Sequence, residues 1–207
     1  MIINSQITTE SGGSVLPPEY QEVEWIGSTG TQRIETGIYN NTSSIPVSYE
    51  TTISYSDVTT RQLNGSQGAF YFGVVSGYWQ FGHGGTNHSN ISATADTWYS
   101  ITIGYTGVSG YSNNIIATIN NDEFKSGNMQ AFDFSNNYNV CLFSLNGQNL
   151  PSTCKIKAAK IYQKYILVRN LIPCYRISDS VIGMYDTVNG VFHTNAGSGT
   201  FLKGADV

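Results

Sequence analysis

The sequence predicts an all-β fold: a jelly-roll sandwich of two antiparallel sheets over residues 16–207, preceded by an extended N-terminal arm over residues 1–15. Three observations predict it. Charged residues make up only 12% of the chain, which instead holds 22 Gly, 14 Tyr and 9 Phe; an ordinary globular domain is about 25% charged. Short runs alternate apolar and polar residues with the two-residue period of a half-buried strand. No stretch carries a 3.6-residue apolar stripe capped at both ends, so no helix is expected. Ten to fourteen short strands without an internal repeat fit a sandwich better than a propeller or a β-helix.

The elements follow in order. Residues 1–15 are polar and include SGGS, the composition of a flexible or docking arm. LPPEY then stiffens the chain, because two prolines favour extended backbone. EYQEVEWIG alternates Val23 with Glu22 and Glu24. VSYETTISYS places Val47, Tyr49, Thr51 and Ile53 on one face. GAFYFGVVSGYWQFG reads as an aromatic hairpin turning at Ser76-Gly77. WYSITIGY sets Trp98, Ser100 and Thr102 against Tyr99, Ile101 and Ile103. NIIATINNDEFKSG is a hairpin turning at Asn120-Asn121-Asp122, and NVCLFSLNG is one more strand. CKIKAAKIYQKYILVRNLIPCYR is strand, bend and strand, although its bend lacks the Gly or Asn such turns usually carry.

The closing stretch, SVIGMYDTVNGVFHTNAGSGTF, has three pieces. VIGMYD is a strand with Met184 and Asp186 on one face and Tyr185 on the other. A turn centres on Asn189-Gly190, a pair that tolerates positive φ at both positions. HTNAGSGTF is a loop and a terminal strand, with Phe192 and Phe201 as apolar plugs. Asp186 is placed to accept backbone hydrogen bonds from the turn after it. An Asp186–His193 acid–base pair is the catalytic alternative, but no nucleophile or third group stands at a recognisable spacing. Closure of the fold is the simpler role.

Composition also excludes partners. The net charge is −4 and no Lys/Arg cluster exists, so the footprint of a nucleic-acid binder is missing. No apolar run approaches the ~20 residues of a membrane span. MIINSQITTESGG has neither the basic nor the apolar region of a secretory signal, so synthesis in a host cytoplasm is expected. Cys141, Cys154 and Cys174 are odd in number and lack metal or redox spacing; buried, inert thiols are the expectation.

Four groups of side chains are candidate sites. Glu22 and Glu24 share a strand face, as paired carboxylates would, yet a solvated face explains them. FDFSNNYN offers Asp133, Asn136 and Asn137 as oxygen ligands for Ca²⁺, with no second carboxylate nearby. His83 and His88 lie five apart in a Gly-rich loop without Glu or Cys beside them, a poor zinc pattern. No metal or other cofactor is therefore expected. The strongest candidate is a sugar site in SGYWQFGHGGTNHSN, which gathers Tyr78, Trp79, His83, Asn87 and His88. Aromatic rings suit the apolar faces of sugars and polar groups suit their hydroxyls. Of two successive aromatics, one must point outward.

Two blocks carry a family likeness: LPPEYQEVEWIGSTGTQRIETGI at residues 16–38, and KIKAAKIYQKYILVRNLIPCYRISDSVIGMYDTVNGVFHTNAGSGTF at residues 155–201. With the aromatic hairpin, WYSITI, TINNDEF and NVCLFSLNG between them, the chain resembles the concanavalin A-like, laminin-G-like jelly-roll domains of phage virion proteins and gut-bacterial surface proteins. The resemblance implies a sandwich whose first and last strands lie close together. It also implies a structural, adhesive or lectin-like role, since glucanases similar in fold carry a Glu-x-Asp-x-x-Glu strand that is missing here. The expectation is a non-enzymatic virion structural or adhesion protein, displayed on the particle surface as a homo-oligomer. Its arm would dock other virion subunits, and its many copies would bind host-surface polysaccharide by avidity. The alternative is a carbohydrate-binding module of a bacterial surface protein at the cell surface.

Overall fold

The computed structural model describes residues 15–39, 47–67, 70–82, 86–105, 115–120, 122–125, 138–146 and 150–207, with backbone alone at residues 70, 82, 86–90, 104, 105, 115, 116 and 123–125. Nineteen β elements and no helix occur among the described residues. The chain begins with β1 (Tyr20–Glu22), β2 (Ile26–Gly27), β3 (Ile34–Tyr39), β4 (Val47–Tyr55) and β5 (Gln62–Ser66). The aromatic hairpin and its successors are β6 (Phe70–Val75), β7 (Tyr78–Gly82), β8 (Thr86–Ser92), β9 (Tyr99–Tyr105), β10 (Ile115–Ile119) and β11 (Asp122–Lys125). Then come β12 (Asn139–Leu142), β13 (Ser144–Asn146), β14 (Leu150–Pro151), β15 (Cys154–Gln163) and β16 (Ile166–Arg176). The chain closes with β17 (Ile182–Asp186), β18 (Val191–His193) and β19 (Leu202–Lys203).

These elements form two packed sheets, the expected sandwich. The larger runs β11-β10-β9-β4-β15-β16-β17-β18, with β1 on β16 and β2 bridging β15 to β19. The smaller runs β14-β13-β5-β6-β7-β8, with β12 pairing both β5 and β3. Pairings are antiparallel except β13 with β5, which is parallel. The strands are more numerous and shorter than the sequence suggests. NVCLFSLNG, for example, breaks at Phe143, which is fully buried in left-handed conformation (φ 65°) and separates β12 from β13.

Alternation decides which residues meet between the sheets. On β4, Val47, Tyr49, Thr51 and Ile53 point inward as expected. Tyr99, Ile101 and Ile103 do so on β9. On β15, a bulge between Ile156 and Ala158 shifts the phase, so Ile156 and Ala159 are both buried. The smaller sheet answers with Phe72, Val74, Trp79 and Phe81. Rings cross the interface: Tyr49 lies 5.2 Å from Phe72, and Trp79 stands edge-on to Tyr55 at 5.8 Å and to Tyr99 at 5.1 Å. Each such side chain contributes about 1.5–3 kcal/mol by leaving water. Asn64, buried beside this core, is satisfied on both sides of its amide. Asn64 donates through Nδ2 to the Tyr55 hydroxyl (2.9 Å) and accepts from the Phe143 amide through Oδ1 (2.6 Å).

The turns show how local chemistry sets register. Ser76 and Gly77 both have positive φ (51° and 85°) and close β6 onto β7, as their residue types predict. The β15–β16 hairpin uses the same two-residue geometry at Lys164 (φ 48°) and Tyr165 (φ 66°), so its register is set without Gly or Asn. Two side chains in left-handed conformation carry strain. The double substitution Lys164→Asn with Tyr165→Gly should therefore raise stability by about 1 kcal/mol, read as a higher urea midpoint. An unchanged or lower midpoint would show that the tip is not strained.

The two end blocks meet, as the family likeness implies. β2 pairs with β19, and Val23 bridges to Asp206. The Glu24 amide donates to Ala205 and the Gly204 amide to Trp25, each at 2.9 Å. Phe201 fills the core against Phe143 at 5.0 Å, whereas Phe192 is only half-buried and packs on Tyr20 at 4.9 Å. Phe201 alone is thus a plug of the inter-sheet core. The turn before β18 also departs from expectation. It spans residues 187–190, closed by Gly190 donating to the Asp186 carbonyl (2.8 Å), and of the Asn189-Gly190 pair only Gly190 has positive φ (67°). All three cysteines are free and buried. Burial pushes the Cys141 and Cys174 thiols up to about 12 and raises Cys154 further, so the thiolate needed for reaction is scarce at neutral pH. Residues 1–14 of the arm lie outside the described residues.

Candidate functional site

The aromatic hairpin positions the candidate site. Because Val74 and Trp79, and Phe72 and Phe81, are cross-strand pairs facing the core, the intervening residues face away from it. One outward row runs Leu63, Gly73, Gln80 and the His88 position; a second pairs Val75 with Tyr78 and Ser92. Tyr78 exposes 48% of its surface. Gln80, two residues along the same face, is 3% exposed and its Oε1 has no hydrogen-bond partner. A buried amide oxygen left unsatisfied costs about 1–3 kcal/mol unless something donates to it. Gly73, directly across from Gln80, can carry no side chain: a Cβ there would fall 1.8 Å from the Gln62 carbonyl oxygen. The strand opposite Gln80 therefore presents bare backbone. Leu63, Cys141 and Leu145 are buried on this sheet without joining the inter-sheet cluster.

The expected site residues divide. Tyr78 is exposed as a ligand-facing ring must be. Trp79 is not: it is fully buried, stacked 6.2 Å from Phe81 and held between Tyr55 and Tyr99. The alternation that sends Tyr78 outward sends Trp79 into the core, so Trp79 is removed from the sugar-facing set. The backbone of β8 sets Asn87 opposite Phe81 and His88 opposite Gln80. His83 lies outside the described residues, as do Asp133, Asn136 and Asn137. Gln80 was missing from the sequence-derived set, although its alternation with Trp79 and Phe81 carries the signal once the phase is known.

The other candidates resolve into structure. Asp186 is fully buried and receives hydrogen bonds on Oδ1 from the Asn170 and Val188 amides, both at 3.0 Å, and on Oδ2 from Asn189 Nδ2 at 2.8 Å. The Val188 bond is the turn contact its sequence position predicts. Arg169 Nε stands 3.6 Å from Oδ2 and itself donates to the Thr36 carbonyl of β3 at 3.0 Å. Asp186 thus joins the turn at 187–190 to β16, and through Arg169 to the other sheet. His193 makes no hydrogen bond to it; its Nε2 is buried without a partner, and burial lowers its pKa. Glu22 is half-buried opposite Cys174 and Glu24 is exposed. No group of three or more metal-ligating side chains occurs among the described residues, and they form no helix long and apolar enough to cross a membrane.

Fold and site together define a class: a two-sheet β-sandwich with an aromatic ring and an unsatisfied amide on the outer face of its smaller sheet. Among solved structures it is similar to a crystal structure from Bacteroides ovatus ATCC 8483 described as a "putative carbohydrate binding protein", with a TM-score of 0.60 and 12% identity. The likeness covers 90% of this chain and 62% of that one, so this chain spans under two thirds of its neighbour, and at this identity the likeness shows the fold alone. No protein-family model matches the chain, and no curated protein does.

Proposed function

We propose that this chain is a non-enzymatic carbohydrate-binding module of the concanavalin A-like kind, holding sugar on the outer face of its smaller sheet. The carrying observation is the buried, partnerless Gln80 Oε1 beside the exposed Tyr78 ring. The ring would cover an apolar sugar face, and a sugar hydroxyl would donate to the amide oxygen once the side chains covering it move aside. The fold neighbour's description supports the same reading. Its bacterial source favours a module of a bacterial surface protein; the virion role rests on the family resemblance and on the arm at residues 1–15 alone. Display in many copies would raise avidity in either setting.

The test is binding of the full chain to a panel of neutral bacterial polysaccharides, with Tyr78→Ala and Gln80→Ala. Each substitution should weaken binding about 10-fold, the loss of one hydrogen bond or one ring contact, with the melting temperature little changed in Tyr78→Ala and lowered in Gln80→Ala, whose side chain is buried. No binding to any member of the panel, or full-strength binding by both variants, would refute the site.

A further inference from the structure

The larger sheet carries a groove of its own on the face turned away from the core. It is about 200 Å³ in volume and is lined by Glu50, Thr52, Ser100, Thr102, Ala158 and Lys160, among others. Two cross-strand rows build it: Lys160, Glu50 and Thr102, then Ala158, Thr52 and Ser100. Ala158 is the smallest side chain of the second row and leaves space between the longer ones. The Thr52, Ser100 and Thr102 hydroxyls line the groove. Glu50 is held at the side, accepting from the Tyr162 hydroxyl at 3.1 Å.

The charges around the groove are unequal in their commitments. Lys155 is engaged by Asp96 at 3.2 Å. Lys157, beside Ala158 on the same strand, has no carboxylate partner; its ammonium sits 4.5 Å from the centre of the Trp98 ring. Trp98 precedes Ser100 by two residues, so the indole holds this cation at the Ser100 end of the groove. Lys160 stands at the other end, and neither Lys157 nor Lys160 enters an ion pair among the described residues. Two cations without an ion pair among the described residues therefore flank three hydroxyls on a chain whose net charge is −4. A general affinity for anions is not what such a chain offers; a local one is.

We propose that this groove is a second sugar site, selective for acidic glycans whose units carry a carboxylate. Carboxylates of successive units would lie against Lys157 at one end and Lys160 at the other, and the ring hydroxyls would bond Thr52, Ser100 and Thr102. The inference rests on the carbohydrate-binding reading but uses the opposite sheet, so the two sites fail separately.

The experiment is calorimetric titration of the full chain with an oligogalacturonate, and with polyglutamate of equal charge as a control. Saturable oligogalacturonate binding is expected, weakened at least about 10-fold by Lys157→Gln with Lys160→Gln. Thr52→Val with Ser100→Ala should weaken it several-fold while leaving its salt dependence in place. Tyr78→Ala with Gln80→Ala should leave it unchanged. Absence of oligogalacturonate binding would overturn this proposal alone, even where neutral polysaccharides still bind through Tyr78 and Gln80. Indifference to the double lysine substitution, or equal binding of polyglutamate, would overturn it too. Oligogalacturonate binding without any neutral-polysaccharide binding would sustain it and refute the smaller-sheet site.

Discussion

Trp79→Ala should destabilise the protein by about 3–5 kcal/mol, the range for truncating a large buried aromatic. Trp79 is wholly enclosed, edge-on to Tyr55 and Tyr99 and stacked on Phe81, and it joins the smaller sheet to the larger. Truncation removes those ring contacts and leaves a cavity between sheets that are each hydrogen-bonded in place. Trp79→Phe keeps part of the volume and should cost markedly less. Equilibrium urea unfolding followed by far-ultraviolet circular dichroism measures both. A Trp79→Ala midpoint equal to that of the parent would mean that the indole is not a core residue. The prediction also bears on function. Sugar binding lost in Trp79→Ala would report a damaged fold, which is why the exposed Tyr78 is the proper probe of the site.

Asp186→Ala is expected to be about as damaging, near 3–5 kcal/mol, because it breaks a buried charge pair and removes the acceptor that ties the turn to β16. Two backbone amides and the Asn189 amide lose their acceptor, and Arg169, with 19% of its side chain exposed, loses its counter-charge. Asp186→Asn preserves the shape but replaces one acceptor oxygen with a donor that faces other donors; a loss of about 1–3 kcal/mol is expected. If Asp186 and Arg169 act as one unit, Asp186→Ala with Arg169→Met should cost less than the sum of the single changes. Strict additivity would show that the carboxylate serves its own turn and not the tie from β16 to β3. Cleavage at the turn over residues 187–190 by a protease at low dose gives an independent readout, since that turn should open first in Asp186→Ala.

Both outcomes concern the stretch from residue 183 to 201, which has the look of an active site. Its Tyr-Asp pair, Asn-Gly turn and two phenylalanines are instead parts of a closure. Met184 and Asp186 are buried, Tyr185 lies outside against Tyr20 at 4.9 Å, and Phe201 seals the core. A short polar residue in a strand followed by a turn reads alike whether its donors come from a substrate or from the next backbone amides. Only the count of filled acceptor positions separates the two, and at Asp186 three donors and a guanidinium fill them.

Residue spacing alone decides the fold class and the phase of strands such as β4, since side chains of period two must sort between core and solvent wherever Val47, Tyr49 and Ile53 alternate with Ser48, Glu50 and Thr52. The joined ends are implied by the family likeness, not by spacing. The sequence also placed the Ser76-Gly77 turn, because backbone sterics allow few other residue pairs there. Tertiary structure decided the rest. Which of Tyr78 and Trp79 faces a ligand depends on the partner sheet, since either phase buries an aromatic ring. The turn at Lys164-Tyr165 has no local signature and is held by the long β15–β16 ladder, whose many bonds outweigh its strain. Gln80 and the Lys157–Lys160 groove assemble across strands far apart in sequence, from β4, β9 and β15 in the second case. No local pattern encodes such a site, because its residues become neighbours only when hydrogen-bonded register brings them to one face.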